Sequence, residues 1–264
     1  MSLKIDLSGK LSLTTASSRG IGFGVAKVLA LAGSDVILVA RRREELEEAR
    51  EKIRREADVD VNYVVADLTL REDLERIAKE VSDIGYPDIF FYSTGGPKPG
   101  GFQELSMEDW DHGYRLLVYP AVYLTRFLVP HMVERRWGRI VYLASLAIKE
   151  PMSNLALSNV LRISIAGLVR TLARELGRHG VTVNGVMPGI IKTSRIEELA
   201  KDISQRNNVP LEEAYAMLSR DIPAGRLGLP EEIGYLVAFL ASNYASYING
   251  AMIPVDGGRQ VSVF

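Results

Sequence analysis

The stretch "TASSRGIG" (residues 15–22) follows a short apolar run and passes directly into an amphipathic segment. Small residues at Ala16, Gly20 and Gly22 allow a tight turn in which the backbone can approach a ligand closely. The helix beginning there offers free N–H groups and the positive end of its dipole, which together attract a pyrophosphate. A glycine-rich turn on its own also simply ends strands. Here it joins the first strand candidate to the first helix candidate of an alternating series, which makes it a nucleotide-binding turn.

That alternation continues along the chain. Strand candidates over 10–15, 35–40, 61–66, 88–92, 139–145, 182–187 and 252–255 are apolar throughout, as strands covered on both faces should be. Between them lie helical periodicities over 22–32, 44–56, 72–81, 108–135, 155–178 and 231–240. Regular β-α alternation predicts an α/β fold, a Rossmann-type doubly wound parallel sheet with helices on both faces. No repeat or linker divides residues 1–264, so one domain is expected. Only 192–223 breaks the rhythm, a polar, partly helical insertion after a strand end; ligands bind beyond such ends, so it is expected to be a lid.

Composition narrows the function. A formal net charge of -1 gives no pull toward nucleic acid or a membrane surface. With no cysteine there is no disulfide, thiolate nucleophile or Cys-ligated metal, and three scattered histidines show no metal-ligand spacing. The N-terminus lacks the apolar core of a signal peptide, and the most apolar stretch, "LLVYPAVYL" (116–124), is short of the ~20 residues a membrane span needs. A cytoplasmic protein handling small molecules, with no metal, is the expectation.

The end of the second strand selects the cofactor. An acidic residue there would hold a ribose 2′-hydroxyl and favour NAD. Instead Ala40 is followed by Arg41, Arg42 and Arg43, and a guanidinium suits a 2′-phosphate. Arg41 is the chosen contact, with Arg19 in the turn able to join it, and NADP(H) is preferred over NAD(H).

Taken together these segments resemble the short-chain dehydrogenase/reductase family, and within it the β-ketoacyl-carrier-protein reductase-like group. The resemblance spans essentially the whole chain. It is carried by "TASSRGIG", "ADL" around Asp67, "STGG" (93–96), "GRIVYLAS" ending on Ser145, "VTVNGVMPG" (181–189), "IPAGRLGLPEEI" (222–233) and "YINGAMIPVDGG" (247–258). It implies cofactor contacts at Thr15, Ala16, Ser18, Arg19, Gly20, Ile21, Gly22, Arg41, Asp67, Leu68, Thr94, Gly95, Pro188, Gly189, Ile191 and Thr193. It also implies a carbonyl or alcohol substrate, reduced or oxidised by hydride transfer, and a homodimer or homotetramer paired through the two long helices.

The family's chemistry uses a tyrosine as proton donor, a lysine four residues later on the nicotinamide ribose, a serine on the substrate oxygen and an asparagine anchoring a water relay. Ser145 matches the serine. Carrying the family's serine-to-tyrosine spacing over from Ser145 lands in "LALSNVLR" (155–162) on Ser158, and the lysine position is Arg162. The asparagine position falls on Leu117, and the first glycine of the phosphate turn is Ala16. Positions i and i+4 share a helix face, so Ser158 and Arg162 can both address the same ribose and substrate. Arg162 keeps a positive charge but shuttles no proton, and Ser158 has no ionisation near neutrality. Losing a positioned general acid typically costs 10²–10⁴-fold.

Lys149, in the loop beyond Ser145, is a substitute acid if partly buried, against the plainer role of an exposed loop lysine. Tyr92 is a second candidate, with core packing an equal explanation. Tyr142 is expected to be structural and His112 to face solvent. Leu157, Leu161, Ile165, Leu168, Leu172 and Leu176 form one apolar stripe that suits packing on the sheet. Two readings result: an NADP(H)-dependent carbonyl reductase or alcohol dehydrogenase with a rebuilt proton-delivery site, or a catalytically inactive nucleotide-binding protein, a sensor or oligomer partner, descended from such enzymes.

Overall fold

The computed structural model describes residues 4–263. Seven strands, β1 (Leu11–Thr15), β2 (Asp35–Ala40), β3 (Val61–Val65), β4 (Ile89–Tyr92), β5 (Gly138–Leu143), β6 (Val181–Pro188) and β7 (Met252–Val255), form one sheet in the order β3-β2-β1-β4-β5-β6-β7. Every pairing is parallel. Ten α-helices lie among the described residues. They are α1 (Gly20–Leu31), α2 (Arg43–Arg54), α3 (Arg71–Ile84), α4 (Met107–Leu117), α5 (Tyr119–Glu134), α6 (Ala156–Leu161), α7 (Ile163–Leu176), α8 (Ser194–Asn207), α9 (Leu211–Ser219) and α10 (Pro230–Ala241).

The period of two along β4 shows why its sequence, "IFFY", is apolar without alternation. Ile89 and Phe91 point to the layer built on α1 and α10, while Phe90 and Tyr92 point to the opposite layer built on α3, α5 and α7. Both faces are covered, so neither set can be polar. β5 repeats the pattern, with Val141 and Leu143 on one side and Ile140 and Tyr142 on the other. The chain runs outward from β1 to β2 and β3, then returns to β4, so the crevice at the carboxyl ends of β1 and β4 is the topological switch point.

Two helices expected to be continuous are broken, each for an identifiable reason. The run 108–135 splits at Val118 (φ -111°, ψ -53°) because Pro120 has no N–H to give to the Leu116 carbonyl. The Tyr92 hydroxyl fills the gap, reaching the Leu116 oxygen at 3.3 Å and the Leu117 oxygen at 3.2 Å. The run 155–178 splits at Arg162. There the Ser164 hydroxyl donates to the Leu161 carbonyl at 2.5 Å, and the Ile165 N–H bonds instead to the Arg162 carbonyl at 3.1 Å. By length and composition Met107–Glu134 and Ala156–His179 reach what a membrane-crossing helix needs. In this fold each lays one face on the sheet, through Leu124 and Leu128 in the first and Ile165 and Val169 in the second.

The insertion after β6 folds as α8 and α9, which pack on each other. Each buries a single side chain, Ala200 and Ala214 respectively, and Leu199, Leu211 and Met217 remain exposed. So shallow an anchorage suits an element that moves as a unit.

Candidate active site

The floor of the crevice is set by Thr15 at the end of β1. Its hydroxyl donates to the Ser93 carbonyl at 2.7 Å and accepts from the Ser93 N–H at 2.9 Å, locking the ends of β1 and β4 side by side. The turn between β1 and α1 needs left-handed backbone at Ala16 (φ 49°) and Gly20 (φ 60°). At Gly22 a Cβ would collide with the Ala16 carbonyl, so only glycine permits the close turn. Helix α1 starts without a side-chain cap or an acidic residue in its first turn, unlike α2 and α3, whose first turns carry acids. Its earliest backbone bond comes from Phe23, leaving the leading N–H groups open to an anion. Ile21 packs beneath the turn. These residues fit a dinucleotide pyrophosphate.

The far end of the groove is cationic. Arg41 is 75% exposed, with its nearest acid, Asp67, 3.8 Å away. Ser18 Oγ donates to Glu45 at 3.0 Å, and Arg42 pairs with the same carboxylate. Arg43 is turned away, donating to Tyr63 Oη at 3.1 Å. A 2′-phosphate arriving beside Arg41 meets an exposed guanidinium donor, and Arg19 stands exposed in the turn after β1. Asp67 folds its carboxylate onto the Thr69 N–H and hydroxyl at 2.9 and 2.8 Å, and Leu68 is buried beside it. Thr94 donates to the Gly95 carbonyl, and the side of Gly95 faces open space.

The chemistry end lies beyond β5. Ser145 lies two residues past the end of β5, and its Oγ accepts the Ala147 N–H at 3.1 Å, capping a 3₁₀ turn over Leu146–Ile148. Helix α6 packs on that turn and carries the buried Ser158. Arg162, at the α6–α7 break, donates Nη1 to the carbonyls of Leu143 and Ala144, each at 3.3 Å. A half-buried guanidinium is thereby fixed at the carboxyl end of β5. Burial pulls its pKa below the ordinary arginine value, the buried Tyr92 opposes that, and the cation Arg195 adds to it.

Several candidates fall outside this cluster. Tyr92 is buried, its hydroxyl is engaged with the α4–α5 break, and burial pushes its pKa up, so its proton faces the core and not the groove. Tyr142 is likewise buried against Thr125, 2.5 Å from its hydroxyl. Leu117 is core, and His112 is exposed. Lys149 is exposed, so the partial burial expected of a substitute acid is missing. It lines a cleft of about 420 Å³ with Met187, Asp256, Gln260 and Ser262. The leucine stripe divides as packing requires: Leu157 and Leu161 close on Gly113 of α4, while Ile165, Leu168 and Leu172 meet the sheet core.

After β6, a Cβ on Gly189 would strike the Asp256 backbone, which holds Pro188 and Gly189 close to the strand end, and Ile191 is buried. Thr193, at the head of α8, has its methyl against Gly20 of the phosphate turn. Two residues on, Arg195 lies with its guanidinium over Gly96. Sequence reasoning missed Arg195, because 192–223 shows no charge pattern and only the fold brings it to the groove.

A family model described as enoyl-(acyl carrier protein) reductase matches residues 15–260. The chain is 32% identical over 257 residues to the 3-oxoacyl-[acyl-carrier-protein] reductase of Aquifex aeolicus, covering 97% of this chain and 99% of that one. It is 31% identical over 259 residues to the gluconate 5-dehydrogenase of Gluconobacter oxydans, covering 98% and 97%. Among solved structures, the L-sorbose reductase of Gluconobacter frateurii, complexed with NADPH and L-sorbose, superposes with a TM-score of 0.95 at 30% identity, covering 99% of this chain and 100% of that one.

Proposed function

This chain belongs to the short-chain dehydrogenase/reductase family, and from that premise we propose that it is an NADP(H)-dependent oxidoreductase interconverting a carbonyl and an alcohol on a small polar molecule. Ser158 and Arg162 work where the 3-oxoacyl-carrier-protein reductases it resembles use tyrosine and lysine. The observation that carries the reading is the fixed guanidinium of Arg162 at the carboxyl end of β5, beside Ser145 and one helical turn from Ser158. A reductase complexed with NADPH shares its fold over 99% of the chain, and the exposed Arg41 supplies a donor for the 2′-phosphate that distinguishes NADP.

When bound, the nicotinamide supplies or takes up the hydride. Arg162 donates to the ribose hydroxyls and stays protonated, as a delocalised guanidinium does in proteins. Ser145 and Ser158 hold the carbonyl oxygen and donate hydrogen bonds that strengthen as negative charge develops there. Neither hydroxyl stores a proton near neutrality, so each relays one. With Lys149 exposed and outside the cluster, solvent is the source that resupplies it. Solvent is no positioned general acid, so turnover is slow, within the 10²–10⁴-fold penalty of an absent tuned acid. The α8–α9 unit closes over the substrate. The exposed Val122, Val160 and Ile163 support a homodimer or homotetramer paired through α4–α5 and α6–α7.

The inactive reading is favoured by two observations: the Tyr92 hydroxyl is engaged with the core, and the relay position is the buried Leu117. Titration of NADPH and NADH, followed by turnover on a panel of keto sugars, keto acids and β-keto thioesters, separates the two. Tighter NADPH binding with turnover on one class supports the oxidoreductase; tight binding with no turnover anywhere supports the sensor.

A further inference from the structure

The strap from β6 into α8 crosses the groove from wall to wall. Thr193 touches Gly20 in the phosphate turn on one side, and Arg195 covers Gly96 in the turn after β4 on the other. These turns flank the switch-point crevice in which a dinucleotide must lie. Arg195 is an exposed guanidinium with no ion pair and no side-chain hydrogen bond among the described residues. Its charge is felt by Arg162 at the carboxyl end of β5, so the two guanidiniums repel each other. Like charges so placed repel each other until an anion neutralises them. The turn on the opposite wall already offers open N–H groups to a phosphate.

We propose that Arg195 is a diphosphate clamp carried by the lid: it leaves Gly96 to pair with the cofactor's pyrophosphate, and in doing so draws α8 and α9 shut over the groove. The assignment rests on the cofactor reading above. It adds a second source of cofactor affinity, at the middle of the dinucleotide and separate from Arg41 at its adenosine end. It also explains why the lid can be so lightly anchored, with only Ala200 and Ala214 buried, because ligand charge supplies the missing attachment.

The test is calorimetric titration of the full chain and its Arg195→Ala and Arg195→Lys variants with three ligands: NADPH, 2′-phospho-ADP-ribose and 2′-AMP. Only the first two contain the diphosphate. Arg195→Ala is expected to weaken both about tenfold, the low end for a charge-assisted bond because the guanidinium is solvated, and to leave 2′-AMP unchanged. Arg195→Lys recovers part of the loss. Limited trypsin digestion gives the second readout, with NADPH protecting 192–223 in the wild type and failing to do so in Arg195→Ala. Equal NADPH affinity in wild type and Arg195→Ala overturns the clamp, as does an equal loss for all three ligands. A wild type that binds none of the three overturns the cofactor reading itself.

Discussion

Replacing Arg162 by methionine separates an anchoring role from a binding role. The guanidinium makes two bonds to carbonyls, both 3.3 Å and therefore long. Each is worth about 0.5–1 kcal/mol, so their removal costs about 1–2 kcal/mol. Two effects offset that cost. Methionine fills the same space, and a half-buried cation repelled by Arg195 no longer needs to be accommodated. The net destabilisation is about 1 kcal/mol, a fall in Tm of about 2–4 °C for a chain of this size. Binding behaves differently, because a charge-assisted donor to the ribose contributes about 1.5–3 kcal/mol. NADPH affinity should fall about 10–100-fold, with Arg162→Lys between the two. Thermal unfolding and calorimetric titration of the same samples check both numbers. A melting point lower by more than 10 °C with unchanged NADPH affinity refutes the reasoning and makes Arg162 a structural pin.

Arg41→Ala should lower the preference for NADPH over NADH about tenfold, a modest loss because the side chain is 75% exposed; direct titration of both cofactors measures it. Ala16→Gly should stabilise the fold by about 0.5 kcal/mol. It relieves a left-handed alanine costing about 1–2 kcal/mol against an unfolded-chain entropy of about 0.4–1 kcal/mol, and a lower urea midpoint would contradict the strain. Glu232 pairs with Arg226 at 2.8 and 2.7 Å, and that guanidinium holds its carboxyl at a pKa of about 2. Because the folded pKa is depressed, the contribution is fully present above the ordinary glutamate range and is lost as pH falls toward 2. With the side chain about a third exposed it is worth about 1 kcal/mol. The urea midpoints of wild type and Glu232→Gln should therefore differ at pH 7 and draw together at pH 3.

The sheet was legible because burial on both faces leaves an unbroken apolar signature, as "IFFY" of β4 does. The tight turn after β1 was legible because its glycines are required by left-handed backbone at Gly20 and close approach at Gly22. The helix breaks were not. Periodicity runs straight through Val118 and Arg162, and what interrupts the ladder is a missing N–H at Pro120 and a serine hydroxyl from Ser164 taking the Leu161 carbonyl. Tyr92 illustrates the limit for titratable groups: its position at a strand end allowed either a proton donor or core packing. Only the distances to the Leu116 and Leu117 carbonyls, set by a helix elsewhere in the chain, decide between them. Arg195 was invisible for the same reason, since its significance depends on Gly96, which lies far away in sequence.

The central claim is that this groove transfers hydride although the tyrosine is gone. Incubating the protein with NADPH deuterated at the transferable C4 position and a reducible substrate from the panel tests it directly, with mass spectrometry locating the label. Deuterium is expected on the carbinol carbon of the product, with at least a hundredfold slower labelling in Ser145→Ala. Bound NADPH whose label never appears in any product would contradict it.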